Sequence, residues 1–190
     1  SESNQSYALA GGFVGNNYYY GIINNCYSHV KINAGSLNTV GGFVSKNRGK
    51  ITNCYSTGSV SGNVEKGGFI GRTDGGTAYN CFWDTETSGL TYSSGGTGLT
   101  TTEMKDVANY VNATWDFMDE TYNGSDDLWG INSTDNNAYP FLSWEGFICD
   151  NFCDAPYGPA SDIIYSYTTA GCIALESFTK GGYGASGYAI

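Results

Sequence analysis

The stretch Gly-Lys-Ile-Thr-Asn-Cys-Tyr-Ser-Thr-Gly, residues 49–58, recurs along the chain in altered form. Residues 21–30 read Gly-Ile-Ile-Asn-Asn-Cys-Tyr-Ser-His-Val, and residues 76–83 read Gly-Thr-Ala-Tyr-Asn-Cys-Phe-Trp. A second anchor precedes each copy, Gly-Gly-Phe-Val at 11–14 and 41–44 and Gly-Gly-Phe-Ile at 67–70. Two anchors that recur together at nearly equal spacing indicate three copies of one structural unit.

Each unit contains short β-type runs separated by Gly, Asn and Ser, with no helical period and no turn dipeptide between two long strands. One such unit cannot bury its inner face alone, whereas stacked units can. The sequence therefore predicts an all-β fold, a short right-handed parallel β-solenoid of about three coils. Equivalent residues of successive coils would lie about 4.8 Å apart, so that each repeated position becomes a column.

The predicted columns explain which residues are repeated. They comprise an aromatic column (Phe13, Phe43, Phe69), an amide ladder in which each side chain bonds to the next (Asn25, Asn53, Asn80), a thiol column (Cys26, Cys54, Cys81), a second aromatic column (Tyr27, Tyr55, Phe82) and apolar core columns (Val14, Val44, Ile70 and Ile23, Ile51, Ala78). Three thiols in a line lack the four tetrahedral ligands of a structural zinc site. Because a catalytic thiol has no reason to occur three times, the thiols are interpreted as small, free packing residues.

The pattern resembles the GLUG-motif repeat of large bacterial and archaeal surface proteins and adhesins. The resemblance is carried by Gly-Gly-Phe-Val-Gly at 11–15, Gly-Gly-Phe-Ile-Gly at 67–71 and Asn-Cys-Tyr-Ser at 25–28 and 53–56, and it extends over roughly residues 8–144. Asn-Cys-Phe-Trp-Asp-Thr-Glu-Thr-Ser-Gly at 80–89 is similar to the last unit of such arrays. Ser45 departs from the motif, which has Gly there. The resemblance implies a solenoid at a cell surface, and it implies no particular ligand or reaction.

The remaining chain is predicted to form a cap and a tail, which divides the protein into residues 1–91, 92–144 and 145–190. Residues 101–112 are predicted to form one short helix capped by Thr101 or Thr102. Five aromatic residues would cover the last core layer of the solenoid: Trp115, Phe117, Trp129, Phe141 and Trp144. In the tail, residues 163–169 and 171–178 are interpreted as two strands, and a disulfide is expected among Cys149, Cys153 and Cys172, with its pairing left open.

Charge and composition restrict the partners. The 190 residues carry a net charge of −10, which argues against nucleic acid. Residues 1–73 hold six Lys/Arg and two Glu, whereas residues 74–190 hold two Lys and sixteen Asp/Glu, a distribution that favours head-to-tail contacts between copies. No apolar run approaches the length of a membrane span, and no signal peptide or initiator Met is present, so the chain is interpreted as a processed form or a piece of something larger.

Other features favour an extracellular protein. The even number of Cys is joined by four glycosylation sequons, at Asn4, Asn112, Asn123 and Asn132. Five acidic residues between Asp116 and Asp127 could hold Ca²⁺, but their spacing does not match a helix-loop-helix calcium loop, and a solvated acidic loop is favoured, with no cofactor expected.

The sequence thus predicts a non-enzymatic, extracellular structural or adhesive protein of the cell surface. It would be a filament subunit that assembles head to tail with itself, or a segment of a larger adhesin whose upstream part it contacts. Host or matrix glycans are further candidate partners. The alternative is a β-solenoid that binds or cleaves carbohydrate, because enzymes of that shape place carboxylates along one face.

Overall fold

The structure is a computed structural model that describes residues 8–35, 39–62 and 65–145, together with the backbone of 164–168 and 171–175. The described chain is mostly β and contains three successive units of short strands. The first unit has strands β1–β4 (Leu9–Gly11, Val14–Asn17, Ile22–Ser28, Ile32–Asn33), the second has β5–β8 (Thr39–Gly41, Val44–Asn47, Lys50–Ser56, Val60–Ser61), and the third has β9–β12 (Glu65–Gly67, Ile70–Thr73, Thr77–Tyr79, Phe82–Asp84).

Each strand pairs with its counterpart in the next unit, and all of these pairings are parallel. The strands β1, β5 and β9 form one sheet, β2, β6 and β10 a second, and β4 and β8 a third. In the fourth sheet, β3 pairs with β7, which pairs in turn with β11 and β12. Pairing between equivalent strands of consecutive repeats is consistent with a β-solenoid. It confirms the predicted parallel sheets in a chain that is mostly β with few helices.

The register is the one that the repeats predict. Val14 lies opposite Val44, which lies opposite Ile70. Cys26 lies opposite Cys54, and Tyr27 opposite Tyr55. Several inward-facing residues of the second and third units are fully buried, among them Phe43, Ile51 and Phe69, whereas Ala78 is partly exposed.

The glycines of the Gly-Gly-Phe anchor permit this close stacking. A Cβ atom on Gly42 would lie 2.0 Å from the carbonyl oxygen of Gly68, and one on Gly12 would lie 2.2 Å from that of Gly42. A side chain at this position would therefore separate the units, and close backbone approach, rather than positive φ, explains the repeated glycine.

The chain after the third unit contains short elements. Helix α1 (Thr85–Ser88) follows β12 directly, and strand β13 (Thr97–Leu99) pairs with β12. Helices α2 (Thr101–Met104) and α3 (Val107–Val111), two 3-10 turns (Asp135–Ala138 and Ser143–Glu145) and the antiparallel strands β14 (Trp129–Gly130) and β15 (Phe141–Leu142) complete this part.

The prediction of one helix over 101–112 is wrong in its cap and its continuity. Thr100 is the N-cap and forms a capping box with Glu103. This helix ends at its C-cap, Lys105, and Asp106 caps a second helix by accepting a hydrogen bond from the Ala108 amide. An Asp side chain can accept a hydrogen bond from the nearby backbone and so favours the start of a new helix over continuation of the first. The periodic apolar pattern over residues 101–112 therefore did not produce a single helix.

In the tail, β16 (Ile164–Thr168) and β17 (Gly171–Leu175) form an antiparallel hairpin, which confirms the predicted strand pair. Cys149 and Cys153 lie outside the described residues, as does Asn4, and only the backbone of Cys172 is described. The disulfide among these three cysteines stays a prediction.

Candidate functional site: the repeat columns and the exposed edge of the first unit

Asparagine recurs before cysteine because the backbone turns there. Asn25, Asn53 and Asn80 each have φ of 51°, in the left-handed region that Asn tolerates better than other side-chain-bearing residues. The predicted ladder of amide hydrogen bonds between these three residues is absent. Asn25 Oδ1 instead accepts from Trp129 Nε1 at 3.3 Å, Asn80 Nδ2 donates to Thr114 Oγ1 at 3.3 Å, and Asn53 Oδ1 is buried without a partner.

This left-handed residue resets the alternation of side chains along the strand. In a regular strand, residues three apart point to opposite faces. Ile51 and Cys54 nevertheless belong to the same core cluster, with Asn53 between them. Tyr55 then belongs to a different cluster on the outside of the sheet. The repeated motif is therefore a corner that places Cys inward and the following aromatic ring outward.

The inner aromatic column is continuous. The rings of Phe13 and Phe43 are stacked with centroids 4.9 Å apart, and those of Phe43 and Phe69 with centroids 4.8 Å apart. Phe43 and Phe69 are fully buried, but Phe13 is 49% exposed. The column thus ends at the first unit with one ring face uncovered by the described residues.

A real amide ladder lies elsewhere. Asn17 Nδ2 donates to Asn47 Oδ1 at 2.9 Å, and Asn47 Nδ2 donates to the Thr77 carbonyl at 3.1 Å. Both Asn side chains are buried at the corner between the second and third strands of their units. Sequence reasoning missed this pair, although both residues follow the Gly-Gly-Phe anchor at the same distance.

The thiol column contains three free cysteines. Each thiol donates at 3.1 Å to the carbonyl oxygen two residues earlier in its own unit. Burial raises the pKa of Cys54, whereas hydrogen bonding with Cys54 lowers the pKa of Cys26 from 9.0 to about 7. Within the described residues no group of three His, Cys, Asp or Glu side chains is placed to hold a metal ion.

The outer aromatic column packs under the chain that follows the repeats. Tyr27 and Tyr55 are stacked with centroids 5.2 Å apart. Tyr55 and Phe82 belong to one cluster with Met104, Tyr110, Trp115, Phe117, Trp129 and Tyr139. The expected position of the five aromatic residues over the last core layer is therefore wrong (Trp115, Phe117, Trp129, Phe141 and Trp144). Trp115, Phe117 and Trp129 instead cover the flank of the repeats, and Trp144 is 63% exposed.

Hydrogen bonds show that the segment after the repeats runs back along the stack of units. Trp115 Nε1 donates to the Asn80 carbonyl in the third unit at 2.9 Å. Glu145 accepts from Tyr27 OH in the first unit at 2.8 Å. The segment from Trp115 to Glu145 therefore spans the flank from the third unit to the first.

A polar junction anchors the covering segment. Tyr55 OH donates to the Pro140 carbonyl at 2.5 Å and accepts from Asn136 Nδ2 at 2.9 Å. His29 Nε2 contacts Asn136 Oδ1 at 2.8 Å, and its Nδ1 contacts Thr57 Oγ1. Burial lowers the pKa of His29, which favours its neutral form at this junction.

Asp84 holds a second buried junction. Its Oδ1 accepts from the amides of Glu86 and Thr87, and its Oδ2 accepts from Thr101 Oγ1 at 2.8 Å and Tyr139 OH at 2.7 Å. The carboxylate is fully buried, and these four donors replace its hydration. Its contacts are those of a structural residue.

The acidic residues between Asp116 and Asp127 lie near one another. Asp116 Oδ2 accepts from the Asp126 amide at 3.0 Å, and its Oδ1 is buried without a hydrogen-bond partner. Burial, with four neighbouring carboxylates, raises the pKa of Asp127. Of the predicted sequons, Asn112 and Asn132 are exposed, whereas Asn123 Nδ2 donates to the carbonyls of Val111 and Trp115.

The opposite charges of the repeats meet at one outer corner. Asp74 contacts Lys46 Nζ at 2.9 Å, Arg48 at 3.2 Å and Arg72 at 3.5 Å. These contacts, with Lys46 first, lower the pKa of Asp74 from 3.8 to about 2. Next to them the turn of the first unit exposes Tyr18, Tyr19 and Tyr20, and the Arg48 guanidinium lies 5.4 Å from the centre of the Tyr19 ring.

Comparison with known proteins bears on the repeats. A protein of Evansella cellulosilytica named "Putative Gly-rich membrane protein" is 33% identical over 160 residues, which cover 78% of this chain and 17% of that protein. The chain thus spans about a sixth of this relative's length. No solved structure matches, and none of the helices in the described residues is long and apolar enough to cross a membrane.

The family model described as the GLUG motif matches residues 6–33 and 36–61. These ranges hold the first and second units, whose strands pair in register. Residues 6–33 and 36–61 of the chain are therefore two GLUG-motif repeats.

Proposed function

We propose that this chain is a non-enzymatic structural and adhesive module of an extracellular cell-surface protein. In this proposal the three units form three coils of a right-handed solenoid, residues 85–99 close one end of it, and the other end accepts a further coil. The GLUG repeats and the membrane-protein name of the relative support the surface placement. The observation that carries the proposal is the difference between the two ends of the stack.

The end after the third unit is covered. The Gly68 amide donates to the Tyr92 carbonyl at 3.0 Å, and the amides of Phe69 and Ile70 donate to Ser93 Oγ. The Ser94 amide donates to the Ile70 carbonyl at 2.9 Å. These contacts satisfy the strand edge that a next coil would otherwise occupy.

The end before the first unit is different. Phe13, Val14 and Cys26 are all partly exposed, whereas their counterparts Phe43, Val44 and Cys54 are fully buried. Core residues on a strand edge that the described residues leave unpaired favour the addition of a strand. A preceding GLUG-type coil in a longer chain would bury them, and it would continue the Phe13 and Asn17 columns.

The fused-coil experiment tests this end directly. A second copy of residues 36–61 placed before residue 8 is expected to pair with β1–β3 and to slow hydrogen exchange at their amides. A fusion with the same 26 residues in scrambled order is the control. If both fusions leave exchange in β1–β3 unchanged, the edge does not accept a coil and the proposal fails.

Surface placement and adhesion need their own measurement. Antibodies raised against residues 8–145 are expected to label intact cells of the source organism, and the protein is expected to retard detachment of those cells from a coated surface. Labelling that appears only after lysis would refute the surface role.

Self-association head to tail is a second candidate, favoured by the charge difference between residues 1–73 and 74–190. It predicts light-scattering masses that rise with concentration and fall in high salt, because screening weakens such contacts. The covered end after the third unit weighs against it. A constant monomer mass would exclude head-to-tail self-association, and it would leave the proposal of a module within a longer surface protein unaffected.

Glycan binding is a third candidate, favoured by the exposed tyrosines at 18–20 beside Arg48. A glycan array is expected to show binding that Tyr19→Ala abolishes and Tyr122→Ala, at an exposed ring far along the chain, does not. Absence of any glycan signal would exclude this candidate.

A further inference from the structure

The three thiols of the repeat column differ in access. Cys26 is half-buried at the uncovered end, whereas Cys54 is fully buried and Cys81 is 2% exposed. A reagent in solution therefore reaches the column at Cys26. Cys54 lies directly beneath it, in register on the neighbouring strand.

The geometry of the column suits a bond between neighbouring sulfurs. In-register residues on adjacent strands lie about 4.8 Å apart, which falls within the range of Cα separations that a disulfide spans. Each of the three thiols makes the same hydrogen bond to a carbonyl in its own unit, so the side chains have equivalent positions along the column. Cys54 thus has a neighbour on each side, but only Cys26 is accessible.

Cys26 is also chemically activated. The thiolate is the reactive form of cysteine, and hydrogen bonding with Cys54 lowers the pKa of Cys26 to about 7. The Cys54 thiol is the titratable group responsible for this shift. Burial raises the pKa of Cys54, so that Cys54 does not compete with Cys26 for the external disulfide.

We propose that Cys26 and Cys54 form a redox-responsive thiol pair, in which Cys26 reacts with an external low-molecular-weight disulfide and Cys54 resolves the product to an intramolecular disulfide. Cys81 stays reduced in this reaction. The pair links the first unit covalently to the second at the uncovered end of the stack. The inference goes beyond the proposed surface role and concerns a stack whose first-unit end is open, because a preceding coil would bury Cys26.

The reaction balances in two exchange steps. The Cys26 thiolate attacks one sulfur of the external disulfide, forms a mixed disulfide and expels one small thiolate. The Cys54 sulfur, on losing its proton, then attacks the Cys26 sulfur, forms the Cys26–Cys54 bond and expels the second small thiolate. Two protein thiols are oxidised by two electrons, the external disulfide is reduced, and the two protons leave with the released small thiols.

Peptide mapping distinguishes the thiols because Lys and Arg separate them. Cleavage after Lys and Arg places Cys26 in residues 1–31, Cys54 in 51–66, Cys81 in 73–105 and the three tail cysteines together in 106–180. The native full chain is first reduced, freed of reductant, treated with oxidised glutathione at pH 7.5 and then alkylated in denaturant at acid pH. The expected product is a cross-linked pair of the peptides 1–31 and 51–66, with Cys81 alkylated.

Three variants separate activation from resolution. Cys54→Ala is expected to stop the reaction at a glutathione adduct on Cys26 and to move the pH midpoint of Cys26 alkylation upward from about 7. Cys54→Ser keeps a hydroxyl donor, so the midpoint should stay closer to 7 while the cross-link is lost. Cys81→Ser should leave both readouts unchanged. Circular dichroism of each variant verifies that it is folded.

Four outcomes would overturn the inference. These are a cross-link between the peptides of Cys54 and Cys81, a cross-link from Cys26 to residues 106–180, unmodified Cys26 in the native protein, or the same alkylation midpoint in wild type and Cys54→Ala.

Discussion

The left-handed asparagine of the repeat can be tested at Asn53, in the central unit. Two explanations of its recurrence differ in one respect: either the amide bonds to its neighbours, or the backbone requires positive φ. The structure favours the second, because φ is 51° and Asn53 Oδ1 is buried without a hydrogen-bond partner. Removing the amide should then cost little, provided that the replacement tolerates this backbone.

The expected magnitudes follow from the backbone. An alanine held in the left-handed region costs about 1–2 kcal/mol, whereas glycine adopts it freely at an entropic cost of about 0.5–1 kcal/mol. Asn53→Gly should therefore unfold with a free energy about 1 kcal/mol higher than Asn53→Ala. At Thr52, one residue earlier in β7, the order should be reversed, with Ala more stable than Gly by about 0.5–1 kcal/mol.

Urea unfolding of the four reduced variants, followed by tryptophan fluorescence, measures these differences. Both replacements remove every side-chain atom beyond Cβ, so that the difference between Ala and Gly mainly reports the backbone preference. Equal losses of unfolding free energy for Asn53→Gly and Asn53→Ala would refute the backbone explanation. They would favour the alternative that the Asn53 amide stabilises the repeats through its hydrogen bonds.

Further predictions concern single residues. Gly42→Ala should prevent folding of the repeats, because its Cβ would lie 2.0 Å from a carbonyl oxygen, whereas Gly15→Ala, with its nearest contact at 3.7 Å, should change the unfolding free energy by less than about 1 kcal/mol; circular dichroism and urea melts measure both. Asp84→Asn should lower the unfolding free energy by about 3 kcal/mol, since the amide replaces a buried acceptor of four hydrogen bonds with a group that is partly a donor. The carboxyl of Asp74 should titrate near pH 2 by NMR, so that its contribution to stability is present above pH 3.8 and lost as the pH falls through about 2, and Lys46→Met should raise that pKa. An Asp74 midpoint near 3.8 in the wild type would refute its ion pairs.

The sequence was informative about the repeats because a column of stacked residues leaves a periodic signal. The spacing of the two anchors identified the units, and the parallel pairing and register followed from it. The sequence could not distinguish an Asn25 that bonds through its amide from an Asn25 that turns the backbone, because both give the same residue at the same interval.

The candidate sites show the same division. Repetition of Cys26, Cys54 and Cys81 indicated packing thiols, but their unequal access and the activation of Cys26 depend on which end of the stack is covered. The polar junction of Tyr55, His29 and Asn136 joins residues more than 80 positions apart. No local pattern marks such a pair, because each partner is an ordinary polar residue within its own segment.

What the sequence determined by itself is therefore the repeat: its length, its parallel stacking and the identity of the residues in each column. Only the tertiary structure decided which way the columns face and what covers them. A periodic pattern reports which residues share an environment, and a single left-handed residue can exchange inside and outside without altering that pattern. The aromatic residues after Trp115 consequently bury the flank of the stack instead of its end, because the outward-turned ring of Tyr55 offers them an apolar surface there.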